Sequence, residues 1–229
     1  MKRLILLLLI QGCLIVGAEA QSKRIDLSGT WQFALDRQNT IKPGDKLTDT
    51  VELPGTTDTN KKGDIVDKHD ETTRLTRRYT YKGRAWYQHE VEIPAEWKGQ
   101  SVYLFLERTK PSEVYVDGNF MGRSNDISTP QVFDLSAALT PGRHRLAIMV
   151  DNGSGVPKQL YANSHAYTED TQTNWNGIIG EFCLTTTSPQ VAQVTKQVHP
   201  NFRDFHIEGQ HFYANGHKIF LRGKHDACV

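Results

Sequence analysis

Apolar and polar residues alternate in several short runs along this chain. The clearest runs are 31–35, 102–106, 114–116 and 146–150. Because successive side chains of a strand point to opposite faces of a sheet, a period of two predicts half-buried β-strands. The turn-forming pairs between the runs are Pro54-Gly55, Asp117-Gly118 and Pro141-Gly142. Many short strands at this spacing predict an all-β protein of the sandwich or jelly-roll type.

Large aromatic side chains mark the predicted core, among them Trp31, Trp86, Tyr87 and Phe133. Aromatic rings of this size bury a large apolar area in a β core. Trp86 and Tyr87 are neighbours on one strand and must point to opposite faces. We therefore expect at most one of them to be deeply buried. The segment 36–84 is rich in Lys, Asp and Thr and is predicted to form long loops with room for an edge strand.

A further hairpin is predicted near the end of the sequence. The β-prone runs 212–214 and 218–221 flank Asn215-Gly216, the strongest two-residue hairpin signal, because a type I′ turn needs a positive φ at both central positions. The last residues, 227–229, are apolar and uncapped, whereas intact domains normally cover or charge a strand edge. We expect the hairpin to open another domain, which makes this chain a fragment.

The N-terminal segment has the pattern of an export signal. Lys2 and Arg3 precede an apolar run over 4–16, and Ala18-Glu19-Ala20 supplies small residues for cleavage before Gln21. This pattern predicts a signal peptide over 1–20, too short for a membrane span. The alternative is a lipoprotein box that ends at Cys13, which would be acylated. We expect an exported protein, periplasmic or extracellular, that is either soluble or anchored through Cys13.

Charge and cysteine content narrow the class of partner. The whole chain has 27 basic and 26 acidic side chains. Cleavage of the signal peptide removes Lys2, Arg3 and Glu19 and leaves 25 of each sign. A neutral chain is not expected to bind nucleic acid or an anionic membrane, which need a clustered basic surface. Two cysteines, Cys183 and Cys228, remain after cleavage, which is too few for a disulfide framework in a chain of this length. Both are predicted to behave as small buried hydrophobic residues.

We predict neither a metal site nor a cofactor. The histidines nearest one another are His206, His211 and His217, and they alternate with apolar residues. Zinc sites instead bring three or four ligands together at short, regular spacing.

Five motifs occur in an order that resembles the sugar-binding domain of glycoside hydrolase family 2. They cover 27–33, 51–56, 85–94, 113–122 and 130–146. In the fourth, Asp117 stands where the family usually has Asn. The end segment 213–223 also resembles the family's approach to its catalytic barrel, although the immunoglobulin-like domain that usually lies between these parts is missing.

The resemblance implies an organisation for the whole chain. It implies a galactose-binding-like jelly-roll β-sandwich over 21–187, a linker over 188–204, and the truncated start of a (β/α)8 barrel over 205–229. The signal peptide over 1–20 precedes them.

The stretch 165–180 is the best candidate for chemistry. It combines carboxylates, amides and an indole, and sugars are bound by planar polar groups with an aromatic face beneath the ring. In the resembled family the corresponding loop helps to close the substrate pocket. The implied substrate-binding residues are Asp170, Gln172, Asn174, Trp175 and Asn176. In the alternative interpretation, Asn174 and Asn176 cap backbone groups in a tight turn while Trp175 packs beneath them.

Two further substrate-binding candidates follow from the barrel. Active sites of such barrels lie at the carboxyl ends of the strands, which places His225 and Asp226 at the implied rim. The run Lys224-His225-Asp226 departs from the family's usual pattern, so it leaves the sugar unspecified.

The resemblance implies a secreted, retaining, exo-acting glycosidase that cleaves a terminal β-linked sugar such as galactose, mannose or glucuronic acid. Retaining enzymes use two carboxylates, one as nucleophile and one as acid/base. In this family both are glutamates that would lie beyond Val229, so no catalytic residue is predicted here and the chain alone is expected to be inactive. Its partners would be carbohydrate and the barrel domain. The alternatives are a stand-alone carbohydrate-binding module and a structural domain of the cell envelope.

Overall fold

The computed structural model describes residues 23–66, 77–155, 174–189, 205–209, 211–214 and 217–219. In chain order the strands are β1 (Arg24–Asp26), β2 (Gly29–Asp36), β3 (Asp49–Leu53), β4 (Gly55–Thr56), β5 (Asp64–Ile65), β6 (Tyr79–Thr80), β7 (Arg84–Ile93), β8 (Tyr103–Thr109), β9 (Ser112–Val116), β10 (Asn119–Ser124), β11 (Gln131–Asp134), β12 (Gly142–Asp151), β13 (Gly177–Thr185), β14 (Phe205–Glu208), β15 (His211–Ala214) and β16 (His217–Ile219). A short 3-10 helix, Ala95–Trp97, follows β7.

Two antiparallel sheets make up the main body. One has six strands in the order β10-β9-β12-β7-β2-β3, and the other has the order β1-β13-β8-β11 with β4 paired beside β13. Apolar side chains of both sheets form one core, with Trp31, Tyr87, Leu104, Ile148 and Phe182 among its members. The predicted all-β sandwich is confirmed. It follows from the alternating pattern, because each strand buries one face against the opposite sheet.

Trp86 and Tyr87 are both deeply buried, at 4% and 1% exposure, so the expectation that only one would be was wrong. Tyr87 belongs to the core between the sheets. Trp86 points to the outer face of the six-stranded sheet, where Leu47 and Met149 pack with it. Leu47 belongs to the segment 37–48, which links β2 to β3 and folds back over that outer face. This loop buries a side chain that strand alternation alone would leave exposed.

The turn between β9 and β10 has the predicted geometry. Asp117 and Gly118 have φ values of 50° and 83°, as a type I′ turn requires. The register then shifts between Phe120 and Gly122, which is a β-bulge. A Cβ on Gly122 would lie 3.3 Å from the Phe133 ring, so the glycine leaves room for that ring at the bulge.

The segment 36–84 contains short strands in its described parts. β3 lies at the edge of the six-stranded sheet, and β5 pairs with β6 in a separate two-stranded sheet. β3 is therefore the edge strand that the sequence allowed in this loop-rich segment.

The C-terminal strands form a small antiparallel sheet in the order β14-β15-β16. Phe212 pairs with Ile219 and Ala214 with His217, so the hairpin predicted around the Asn-Gly pair is confirmed in its strand pairing. The boundaries at residues 20, 187 and 204 stay predictions, and the predicted signal peptide lies outside the described residues. Among the residues that are described, no helix has the length and apolar character needed to cross a membrane.

Candidate functional site

Asn176 is a junction of three chain segments at one end of the sandwich. Its side chain is completely buried. Its Nδ2 donates to the carbonyl oxygens of Val150, at 2.9 Å, and Gly83, at 3.0 Å. Its Oδ1 accepts the hydroxyl hydrogen of Tyr87 at 2.9 Å. Asn176 therefore ties the residue before β13 to the end of β12 and the start of β7.

Asn152 and Asn174 extend this network. Asn152 Nδ2 donates to the carbonyl oxygen of Tyr81 at 2.8 Å, and its Oδ1 accepts the N–H of Gly83 at 2.9 Å. Asn174 Nδ2 donates to the carbonyl oxygen of Asn152 at 2.8 Å. We refer to Asn152, Asn174 and Asn176 as the asparagine cluster. Each of the three satisfies backbone groups that the ends of the strands leave without partners.

One polar atom of this cluster differs from the rest. Oδ1 of Asn174 is buried, and the described residues supply no hydrogen-bond partner for it. The residue lines a cavity of about 210 Å³ together with Asp58, Arg77, Tyr79 and Trp175. An unpaired buried acceptor costs about 1–3 kcal/mol. This oxygen has almost no accessible surface, so a ligand in the cavity would meet the other polar groups of the lining, among them Asp58 and Arg77.

Trp175 forms an aromatic wall of the same cavity. Its side chain is partly buried, and Nζ of Lys110 lies 4.7 Å from the centre of its ring. Lys110 is itself 2% exposed, and a desolvated cation over an indole is a favourable contact. The contact holds the ring in place, which suits a surface for stacking the apolar face of a sugar.

The remaining lining groups supply charge and hydrogen bonds. Arg77 donates from Nη1 to the carbonyl oxygen of Asn174. Asp58 Oδ1 accepts the N–H groups of Arg78 and Tyr79, at 3.1 and 2.7 Å. Burial raises the pKa of Tyr81 to about 12, so its phenol stays neutral and donates to the Arg84 carbonyl oxygen at 2.5 Å. The wall is rigid and polar, and the described part of its lining contains one carboxylate, that of Asp58.

Three of the seven predicted site residues are thus brought together: Asn174, Trp175 and Asn176. The other four, Asp170, Gln172, His225 and Asp226, lie outside the described residues. Sequence reasoning did not name Asp58, Arg77 and Tyr79, which share no motif with 165–180, although the segment 61–78 is predicted to be either disordered or a functional loop. It did not name Asn152 as a site residue either, although the turn-forming neighbours Asp151 and Gly153 were a usable signal. Among the described residues, no group of three or more His, Cys, Asp or Glu is arranged to hold a metal ion.

The fold and this cavity define the class: an antiparallel β-sandwich domain with a polar, aromatic-walled cavity at one end. The family model described as "Glycosyl hydrolases family 2, sugar binding domain" matches residues 25–188. The chain therefore belongs to glycoside hydrolase family 2, as the order of its motifs predicted.

Similar proteins carry the names of two kinds of glycosidase. The chain is 38% identical over 66 residues to a beta-galactosidase of Enterobacter cloacae, and the aligned stretch covers 28% of this chain and 6% of that protein. It is 24% identical over 133 residues to a beta-glucuronidase of Paenibacillus borealis, and this alignment covers 56% of this chain and 21% of that protein. The chain thus spans a small part of the length of these relatives.

Solved structures share the fold. A beta-glucuronidase of Faecalibacterium prausnitzii superposes with a TM-score of 0.51 at 25% identity, which covers 72% of this chain and 31% of that one. Beta-glucuronidase 2 of Bacteroides uniformis superposes with a TM-score of 0.53 at 22% identity, over 72% and 18% of the two chains. At 22% identity, the likeness to the Bacteroides uniformis structure is evidence for the fold alone.

Proposed function

We propose that this chain is the N-terminal part of a secreted, retaining, exo-acting glycoside hydrolase that removes a terminal β-linked sugar from an oligosaccharide or polysaccharide. The family match over 25–188 supports it, as do relatives named beta-galactosidase and beta-glucuronidase. The single observation that carries the role of this chain is the cavity at one end of the sandwich, which Trp175 lines together with the polar side chains of Asp58 and Arg77.

Each residue of the cavity has a proposed task. Trp175 lies against the apolar face of the sugar ring, and the side chains of Asp58 and Arg77 form hydrogen bonds with its hydroxyl groups. Asn176 and Asn152 act as positioning residues, because their amides hold the surrounding backbone. Asp170 and Gln172 add polar contacts from the same loop, and His225 and Asp226 add contacts from the barrel side.

The chemistry itself is assigned to residues beyond Val229. Retaining hydrolysis needs two carboxylates about 5 Å apart, and in this proposal both are glutamates of the barrel domain. The 229 residues then supply the scaffold and one wall of the substrate pocket, and they have no hydrolytic activity alone. We further propose export through the signal peptide 1–20 to the periplasm or the exterior, with anchoring through Cys13 as the alternative route.

The test uses the complete reading frame that contains these residues. We expect its product to hydrolyse a nitrophenyl β-galactoside, β-mannoside or β-glucuronide. We expect Trp175→Ala to lower kcat/KM for that substrate at least tenfold, because stacking stabilises the bound sugar, while the circular dichroism spectrum stays unchanged. Phe120→Ala is the matched control: this ring is 56% exposed and does not line the cavity.

Two results would overturn the proposal. The first is no hydrolysis of any of the three substrates. The second is a Trp175→Ala enzyme that folds and keeps its full kcat/KM. If Trp175→Ala fails to fold, Asn174→Ala replaces it, with the expectation of a raised KM.

A stand-alone binding module is the second candidate, because Trp175 and the other described residues of the cavity lining all belong to this chain, which can be titrated by itself. Titration of the 229-residue chain with galactose and glucuronic acid tests it. Binding together with a stop codon after Val229 in the source DNA would favour the module over the hydrolase.

A further inference from the structure

A second polar groove crosses the outer face of the six-stranded sheet. Two adjoining cavities, of about 620 and 450 Å³, share Gly44, Glu90 and Arg145 in their linings. We call them together the outer-face groove. None of its lining residues lines the cavity beside Trp175, so the two are separate places on the molecule.

Three neighbouring strands form the floor of the groove. Gln32 comes from β2, Gln88 and Glu90 from β7, and Arg145 from β12, while the β9–β10 turn at Asp117 closes one end. Neighbouring strands are about 4.8 Å apart. Four strands in the order β2-β7-β12-β9 thus span about 14 Å, which is longer than one sugar ring.

The wall of the groove is the segment 43–46, and it is fixed before any ligand arrives. Nε2 of Gln88, which is 3% exposed, donates to the carbonyl oxygen of Asp45 at 3.1 Å. Oδ2 of Asp45 accepts the N–H of Lys42 at 2.8 Å. Next to the wall, Leu47 is anchored against Trp86. A wall that is already ordered does not add its conformational entropy to the cost of binding.

The lining excludes two classes of partner. Its charges have both signs, from Asp45, Glu90, Lys46 and Arg145, whereas nucleic acid needs a concentrated positive surface. Its described residues include no Leu, Ile, Val, Met, Phe, Tyr or Trp, whereas protein interfaces centre on such apolar and aromatic anchors.

The same groups suit a neutral, hydroxyl-rich ligand. Amide and carboxylate side chains present planar pairs of polar atoms, and Arg145 presents a fork of donors. Neighbouring hydroxyl groups of a sugar chain both donate and accept, so they match a floor that offers both donors and acceptors; binding here would rest on hydrogen bonds, without the ring stacking proposed at Trp175. We propose that the outer-face groove binds a segment of a neutral oligosaccharide, as a second carbohydrate site apart from the cavity at Trp175. This inference does not depend on the hydrolase activity proposed above.

Titration calorimetry of the 229-residue chain with cellohexaose, xylohexaose and mannohexaose tests the proposal. We expect at least one to bind, and the double variant Glu90→Ala/Arg145→Ala to bind it about 25-fold more weakly, because each of the two lost hydrogen bonds contributes about a factor of five. Both side chains are exposed, so the fold is expected to survive. Gln32→Ala, also exposed, is the second variant if it does not.

The matched control is Glu96→Ala/Lys98→Ala, which removes the same two charges at the exposed 3-10 turn and is expected to leave the affinity unchanged. The proposal is overturned if none of the three hexasaccharides binds, or if the groove variants bind as tightly as the unmodified chain. It is also overturned if Trp175→Ala abolishes binding, since the ligand would then lie in the other cavity. Activity on a small nitrophenyl glycoside reports the proposed function separately.

Discussion

Tyr87 donates its hydroxyl hydrogen to Oδ1 of Asn176 across 2.9 Å, although 89 positions separate the two residues in sequence. Burial, the largest cause, raises the pKa of Tyr87 far above its usual range, so the phenol stays protonated and remains a donor. The bond joins the middle of β7 to the residue that precedes β13. It therefore couples the core of the sandwich to the backbone that carries Asn174 and Trp175.

We expect Asn176→Ala to lower the free energy of unfolding by about 3 kcal/mol, since it removes the donor to the carbonyl oxygens of Val150 and Gly83 and leaves the buried Tyr87 hydroxyl without its acceptor. Tyr87→Phe removes one hydrogen bond and should cost about 1 kcal/mol. Urea unfolding of both variants and of the double variant measures the coupling. Because both single variants lose the same hydrogen bond, we expect their two losses of unfolding free energy to sum to more than the loss in the double variant. If the losses simply add, the bond contributes nothing to stability.

Gly177→Ala is expected to destabilise the sandwich by about 2 kcal/mol or more. Gly177 has a φ of 149°, and a Cβ there would lie 2.3 Å from the carbonyl oxygen of Gly55. Gly142 is the matched control, because it has a φ of 125° but nothing within 4 Å of its Cβ position. Gly142→Ala therefore reports the backbone strain alone. Equal losses of thermal stability in the two variants would contradict the steric argument.

His144 and Asp117 form a pH-dependent pair. Nδ1 and Nε2 of His144 face two acceptors, Asp117 Oδ2 and the Thr140 carbonyl oxygen, each at 2.7 Å. A ring that meets two acceptors must donate from both nitrogens, so it is protonated. Burial opposes that charge, but the bonds to Asp117 and Thr140 outweigh it and raise the pKa of His144. Burial likewise opposes ionisation of Asp117, but the Arg145 N–H and His144 outweigh it and lower its pKa.

The contribution of His144 to stability is therefore fully present below its ordinary pKa of about 6.5. It is lost as the pH rises through the raised value. The contribution of Asp117 is present above its ordinary pKa of about 3.9 and is lost as the pH falls through the lowered value. Unfolding free energies at pH 5.5 and pH 8.5 measure this. We expect Asp117→Asn to reduce the difference between the two pH values; an unchanged difference would exclude the pair as its source.

Cys183 is expected to be chemically silent in the native protein. Burial is the main reason that the pKa of its thiol is raised to about 11, and only the thiolate reacts readily. In a Cys13→Ser/Cys228→Ser background, iodoacetamide at pH 8 should label Cys183 in urea but not under native conditions. Rapid labelling of the folded protein would show that β13 opens locally.

Much of the fold could be predicted from local pattern. Alternation located the strands around Phe33, Leu104, Val114 and Ile148, and the Asp117-Gly118 pair predicted its turn, because these features depend on neighbouring residues. The burial of Trp86 could not be predicted. It depends on Leu47, and nothing in the spacing of the two residues indicates that the loop folds over the sheet.

The candidate site divides in the same way. Asn174, Trp175 and Asn176 stood out because polar and aromatic types are adjacent in sequence, which is a local signal. Their different roles were not visible there. Asn176 is surrounded by Val150, Gly83 and Tyr87, whereas Asn174 lines a cavity together with Arg77.

By itself the sequence determined the fold class, the family and the stretch that carries the candidate site, since these follow from hydrophobic period, turn chemistry and the order of motifs. The tertiary structure alone decided which asparagine lines the cavity, which distant residues line it too, and where a second groove is found. The reason is physical: hydrogen-bond satisfaction and concavity depend on groups that are far apart in the chain and meet only when the two sheets pack.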